Sequence, residues 1–120
     1  MEECSNKLSK GFGKVYTNTF LKTLKQKALD KKDLLENIDF EKLESVKTLP
    51  EFDELVTAPL HSFASAKDYY KKASAKRFLK DIKIPTVIVN ALDDPFLGPG
   101  SYPYEESIQN PNLKLSLIHI

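Results

Sequence analysis

The residues that decide the fold run from Ile82 to Phe96, IKIPTVIVNALDDPF. Within them a β-branched apolar run (82–92) has Pro85 near its start and Asp93-Asp94-Pro95 at its end. A continuous apolar run of this kind reads as a strand buried on both faces, the signature of a parallel sheet. Further on, NLKLSLIHI (112–120) alternates Leu113, Leu115 and Leu117 with Lys114 and Ser116 and reads as a second strand. About twenty residues separate the two, too many for a tight hairpin and enough for the crossover a parallel pair needs. A short helix is expected at 103–109.

Upstream the pattern is helical, and the first 80 residues contain no convincing strand. Phe12, Tyr16, Phe20, Leu24 and Ala28 recur every fourth position, with Leu21 widening the stripe, so 12–28 reads as an amphipathic helix. Its lysines fall mostly off that stripe. They suit a helix packed on a core with its cations in water, although a membrane-surface helix has the same pattern. Asp33 to Val46 fits one or two short helices. In TLPEFDELVT, Thr48 is a candidate N-cap with Pro50 and Glu51 in the first turn. SFASAKDYYKKASAKRFL (62–79) reads as a further helical stretch of roughly four turns.

Composition narrows the classes. The 120 residues carry a net charge of +1, so no global field draws the chain to nucleic acid or to an anionic membrane. Residues 1–32 hold eight lysines, but Arg77 is the sole arginine. Lysine faces without arginine indicate solvation rather than phosphate reading, and no nucleic-acid partner is expected. One cysteine, Cys4, excludes an intramolecular disulfide and a cysteine-based zinc site. No window approaches the roughly 18 apolar residues of a membrane span, and the N-terminus lacks the apolar core of a secretory signal. A cytoplasmic location is expected.

Asp93 and Asp94 are the candidate chemistry. They sit just past the carboxyl end of a strand, where open α/β sheets bind ligands. Asp before Pro, followed by Gly98, Pro99 and Gly100, is equally ordinary turn chemistry, so the pattern alone fits a site or a turn. His61, in a helix-start loop, reads as a structural hydrogen-bonder. His119, on the leucine face of the final strand, reads as a buried, satisfied histidine. No spaced histidine or acid cluster supports a metal, and no glycine-rich loop supports a phosphate cofactor. A GxSxG nucleophile elbow is absent as well.

IPTVIVNALDDPF resembles the segment that carries the acid of the Ser-Asp-His triad in α/β-hydrolases. The longer string from Phe52 to Phe96, closing on Tyr102-Pro103, resembles the YheT-like branch, the AB hydrolase 4 family of predicted esterases and lipases. Its matching pieces are Phe52-Asp53, Thr57-Ala58, His61-Ser62-Phe63, Tyr69-Tyr70 and Asp93-Asp94-Pro95-Phe96, and GKVYTNTFLKTLKQKA resembles the family's helix after the nucleophile region. Ser62 departs from the pattern, which has glycine there.

The resemblance implies a partial α/β-hydrolase fold: a helical segment with the lid or cap region over 1–80, then the last parallel strands over 81–120. It implies hydrolysis of carboxylic esters, acylglycerols or short acyl esters, without a cofactor. Asp94 is expected as the triad acid, with Asp93 the second choice, because Asp94 precedes proline and Ala91 takes the glycine position of a Gly-x-x-Asp-Pro spacing. Nucleophile and oxyanion hole would lie upstream. The base, in a Gly-Gly-His-x-Gly-Phe motif about thirty residues past the acid, would fall about three residues beyond Ile120. On that expectation the N-terminal half of the hydrolase is missing and the 120 residues alone are inactive. The alternative is a small, non-catalytic α/β interaction domain.

Overall fold

A computed structural model describes Cys4, Leu8, Lys10, Gly11 and residues 13–119. Phe12, counted in the first apolar stripe, lies outside the described residues. Helix α1 (Gly13–Leu29) leads through a 3-10 turn at Lys32–Leu34 to the short α2 (Phe40–Leu43). Next comes a helical rod in three parts: α3 (Leu49–Phe52), a π segment (Asp53–Thr57) and α4 (Ala58–Leu60). Then α5 (Ala66–Ala73) and a 3-10 helix (Ala75–Asp81) precede β1 (Thr86–Ala91). A 3-10 turn (Pro99–Ser101) and α6 (Tyr104–Gln109) carry the chain to β2 (Leu113–Ile118). As expected, no strand occurs among the described residues of the first 80.

The apolar stripe of α1 faces the core as expected at Leu21, Leu24 and Ala28, but its N-terminal part is rotated from the expected line. Tyr16 and Phe20 are about half exposed, whereas Thr17, Leu21 and Ala28 are buried. Thr17 can be buried because its Oγ1 donates to the Leu8 carbonyl at 2.7 Å, leaving no polar group unpaired. The rotation turns Tyr16 toward the loop after β1. Leu21 and Ala28 pack with Leu43, Val46, Phe52 and Val56 into the main core, each large side chain contributing roughly 1.5–3 kcal/mol on burial.

Local chemistry sets both ends of the rod. Thr48 Oγ1 accepts the Glu51 N–H (3.3 Å), and Glu51 Oε2 accepts the N–H groups of Lys47 (2.7 Å) and Thr48 (3.3 Å), a capping box at the start. Inside the π segment Asp53 Oδ1 accepts the Thr57 hydroxyl at 2.7 Å and Oδ2 accepts the Tyr70 hydroxyl at 2.5 Å. Three separate pieces of the sequence pattern, Asp53, Thr57 and Tyr70, thus meet on one carboxylate. At the far end the Phe63 N–H reaches the Ala58 carbonyl (2.8 Å) and the Ser62 N–H reaches Pro59 (3.2 Å), a Schellman closure. That closure needs a left-handed residue, and Ser62 supplies it at φ +59°. The position where the resembled pattern has glycine is thus a left-handed turn, occupied here by a residue with a side chain.

Two expected elements are shorter than read. The 62–79 stretch is not one helix: Ser65 caps α5, Ser74 turns extended (φ −62°, ψ +122°), and the chain continues as a 3-10 helix. Serine competes with the helix by bonding locally, which suits it to both places. The strand expected over 82–92 begins only at Thr86, because Pro85 has no N–H for the ladder. It is not buried on both faces either. Val87 and Val89 are 61% and 57% exposed, since only the face with Ile88 is covered among the described residues.

β1 and β2 pair in parallel, with Thr86 opposite Leu113 and Ala91 opposite Ile118. Asn110, 5% exposed, sets this pairing. Its Nδ2 donates to the carbonyls of Leu79 (2.9 Å) and Ile82 (3.0 Å), and its Oδ1 accepts the Asn112 N–H (3.0 Å). The segment before β1 is thereby tied to the segment before β2. The radius of gyration is 16.8 Å, above the roughly 14 Å of a compact chain this long.

Two stability changes follow. Ser62→Gly relieves the left-handed serine and should raise the unfolding free energy by about 1 kcal/mol, read as a higher urea midpoint at unchanged slope. Asn110→Leu removes the Nδ2 donor shared by the Leu79 and Ile82 carbonyls and the acceptor of the Asn112 N–H, and should lower it by about 1–3 kcal/mol in the same measurement.

Candidate active site

The site grows from the carboxyl end of β1. The ladder's last bond is Leu92 N–H to the Ile118 carbonyl at 2.8 Å, after which the chain turns. Asp93 and Asp94 follow at once, Asp93 exposed and Asp94 half-buried. Asp94 Oδ1 accepts the Phe96 N–H at 2.8 Å, an Asx turn that local sequence alone produces when Asp precedes Pro95. That bond anchors the carboxylate relative to the backbone. Ala91, Asp93, Asp94, Pro95 and Phe96 line a hollow of about 320 Å³.

Two aromatic residues fix the loop from either side. Tyr16 of α1 meets Phe96 edge-on, ring centroids 5.1 Å apart and planes at 87°. Tyr102 is buried and directs its hydroxyl at the carbonyls of Ala91 (2.8 Å) and Leu92 (3.3 Å). Burial pushes the Tyr102 hydroxyl above the ordinary tyrosine range, and the negative charges of Asp94 and Asp93, with that of Tyr104 once it ionises, push it the same way. The phenol therefore stays a donor.

Other sequence candidates fall elsewhere. His61 does not open a helix: it caps the C-terminus of α4 and is exposed. His119 is neither within β2 nor buried, but follows its last residue, exposed. A larger hollow, about 530 Å³, lies at Lys42, Ser45, Val46, Lys47, Glu51, Glu54 and Leu55. The Ser45 hydroxyl there donates to the Lys42 carbonyl at 2.7 Å, and no histidine is among the lining residues, so it offers no nucleophile–base pair. Among the described residues no three His, Cys, Asp or Glu side chains converge as a metal site, and no helix is long and apolar enough to cross a membrane. Sequence reasoning gave Tyr102 no role. Its signal was available, a tyrosine in a Tyr-Pro pair shortly after the acids, but its target carbonyls exist only in the folded loop.

A parallel β–α–β unit with an acidic turn beyond the strand's carboxyl end, preceded by a helical segment, is the architecture of part of an α/β-hydrolase. Comparison with known proteins agrees. YheT of Escherichia coli is 40% identical over 111 residues, 90% of this chain and 33% of YheT. Phospholipase ABHD3 of Mus musculus is 34% identical over 116 residues, 95% of this chain and 28% of its own length. The monoacylglycerol lipase of Saccharomyces cerevisiae is 35% identical over 83 residues, 65% of this chain and 18% of the lipase. Over most of its length, then, the chain is related to the YheT-like α/β-hydrolases, and its fold is a partial α/β-hydrolase fold. It spans about a third or less of the length of these relatives. No protein-family profile and no solved structure matches it.

An alkaline titration tests the Tyr102 environment. The ordinary tyrosine value is 10.0, and Tyr102 lies above it when folded, so the unfolded chain ionises first. Its contribution to stability is complete below pH 10.0 and is lost as pH rises through the folded value. Tyr102→Phe should delete a phenolate step lying above the ordinary tyrosine range from the absorbance titration.

Proposed function

We propose that this chain carries the acid of a serine α/β-hydrolase acting on carboxylic esters of the acylglycerol kind, and that Asp94 is that acid. The observation that carries the proposal is the half-buried Asp94 carboxylate at the carboxyl end of a parallel strand, held by the Phe96 N–H. The relatives support the ester class by their names, phospholipase and monoacylglycerol lipase among them. Asp93, exposed beside it, is the second candidate.

In such a site the acid attacks nothing. Asp94 accepts a hydrogen bond from histidine Nδ1, fixes the tautomer that leaves Nε2 free to take the serine proton, and stabilises the imidazolium that results. With Oδ1 engaged by Phe96, Oδ2 is the oxygen for that contact. Serine, histidine and oxyanion donors come from chain segments outside these 120 residues, which contain no GxSxG. The exposed Val87 and Val89 and the extended radius of gyration fit a sheet built to receive them. Residues 1–80 then include the lid over the site, and the cytoplasm, a reducing compartment, suits the single cysteine.

Reading the coding sequence in both directions should reveal GxSxG upstream and Gly-Gly-His-x-Gly-Phe downstream; an uninterrupted frame with neither would sink the proposal. In the protein so completed, Asp94→Asn should lower kcat for a p-nitrophenyl ester by about 10⁴-fold with KM little changed. The 120 residues alone should show no turnover.

A further inference from the structure

Between β1 and α6 lies a chain of contacts that the triad reading does not require. It begins at Lys76, in the 3-10 helix before β1. The Lys76 ammonium donates to the Gly100 carbonyl (3.2 Å) and the Tyr102 carbonyl (3.3 Å), and pairs with Glu106 Oε2 at 3.7 Å. Glu106 Oε2 is buried with no hydrogen bond among the described residues, so this ammonium is the positive charge that compensates it. One cation therefore gathers the Gly100–Glu106 segment at three points. That segment presents Tyr102.

The Tyr102 hydroxyl has one proton and two carbonyls in reach, Ala91 at 2.8 Å and Leu92 at 3.3 Å. Those carbonyls belong to the last residue of β1 and to the residue that follows it. On the opposite side the Leu92 N–H is held by β2 through the Ile118 carbonyl. The backbone entering Asp93 and Asp94 is consequently gripped from both sides, by the ladder and by a buried phenol.

We infer that Tyr102 is a positioning residue for the acid of the proposed triad, setting the height of the Asp94 turn through the Ala91 and Leu92 carbonyls, with Lys76 holding Tyr102 in register. The inference rests on the hydrolase reading for its catalytic consequence but not for its structural content. The phenol is suited to the task because it stays protonated: burial and the charges of Asp94 and Asp93 oppose its ionisation. Phenylalanine would fill the same space without the donor. A turn released from its anchor would let the carboxylate shift, and displacement of about 1 Å is enough to cost roughly a hundredfold in a positioned reaction.

Amide hydrogen exchange on the 120-residue chain tests the structural half. In Tyr102→Phe the Phe96 amide, whose partner is Asp94 Oδ1, should exchange about tenfold faster, while amides in the middle of α1 keep their rates. Lys76→Met should act on the same amide to a smaller extent. An unchanged Phe96 rate in Tyr102→Phe overturns the inference, and so does equal acceleration at every amide, which would mark Tyr102 as a general stabiliser. An unchanged rate in Lys76→Met overturns the share given to Lys76.

Kinetics of the completed hydrolase test the other half. Tyr102→Phe should lower kcat for a p-nitrophenyl ester by about ten- to a hundredfold at unchanged KM, with Tyr104→Phe as a control near wild type. Unaltered kcat, or a loss confined to KM, overturns the catalytic consequence. Absence of turnover in the completed wild-type protein rejects the hydrolase reading instead, and the exchange experiment then decides Tyr102 independently.

Discussion

The arrangement of the carboxyl-terminal half depends on the side chain of Asn110. A parallel strand pair gets no help from a tight turn, so something else must bring the two strand entrances together. Asn110 does this by donating to Leu79 and Ile82 ahead of β1 while accepting from Asn112 ahead of β2. Its own backbone is also engaged, the N–H by the Glu106 carbonyl and the carbonyl by the Leu113 N–H. A buried amide with its groups so fully paired gives direction as well as stability, which an apolar side chain of that size would not. Register follows from it, and the position of the acidic turn follows from register.

The helical half is organised around a carboxylate in a comparable way. Asp53 takes hydroxyl donors from Thr57 within the π segment and from Tyr70 on α5. A neighbouring acid, Glu54, accepts the Ala66 N–H at the start of α5. These bonds fix α5 against the rod, and the Schellman turn at Ser62 sets the path between them. By contrast the surface ion pairs, Lys42 with Asp39 and Lys72 with Asp68, hold their carboxylates below the usual range but sit in water, where such pairs contribute little.

The two halves meet at the site. Tyr16 reaches the acid turn from α1, and Tyr102 reaches it from the crossover. The rotation of the α1 stripe has its reason here. Spacing at every fourth residue cannot tell which of two adjacent lines faces the core, because residues one apart differ by only about 100° around a helix. Burial chose the line of Thr17 and Leu21, once the Thr17 hydroxyl found the Leu8 carbonyl.

Much was legible before any coordinates. The parallel sense of the strand pair followed from the length of the connection. The two strands, the crossover helix, the capped rod at Thr48 and the acids beyond the first strand rest on interactions within a few residues, which are written in local order. The Asx turn at Asp94 is of the same kind. Tertiary structure alone decided the rest. Where β1 begins, why its valine face is open, which serine turns left-handed at a glycine position, and why Tyr102 grips the acid turn depend on groups far apart in the chain. The Asp53–Tyr70 bond spans 17 residues and the Asn110–Leu79 bond 31. No periodicity encodes a partner at that distance; only folding brings the two groups within reach, and there the need to pair every buried polar group selects among the arrangements that local sequence allows.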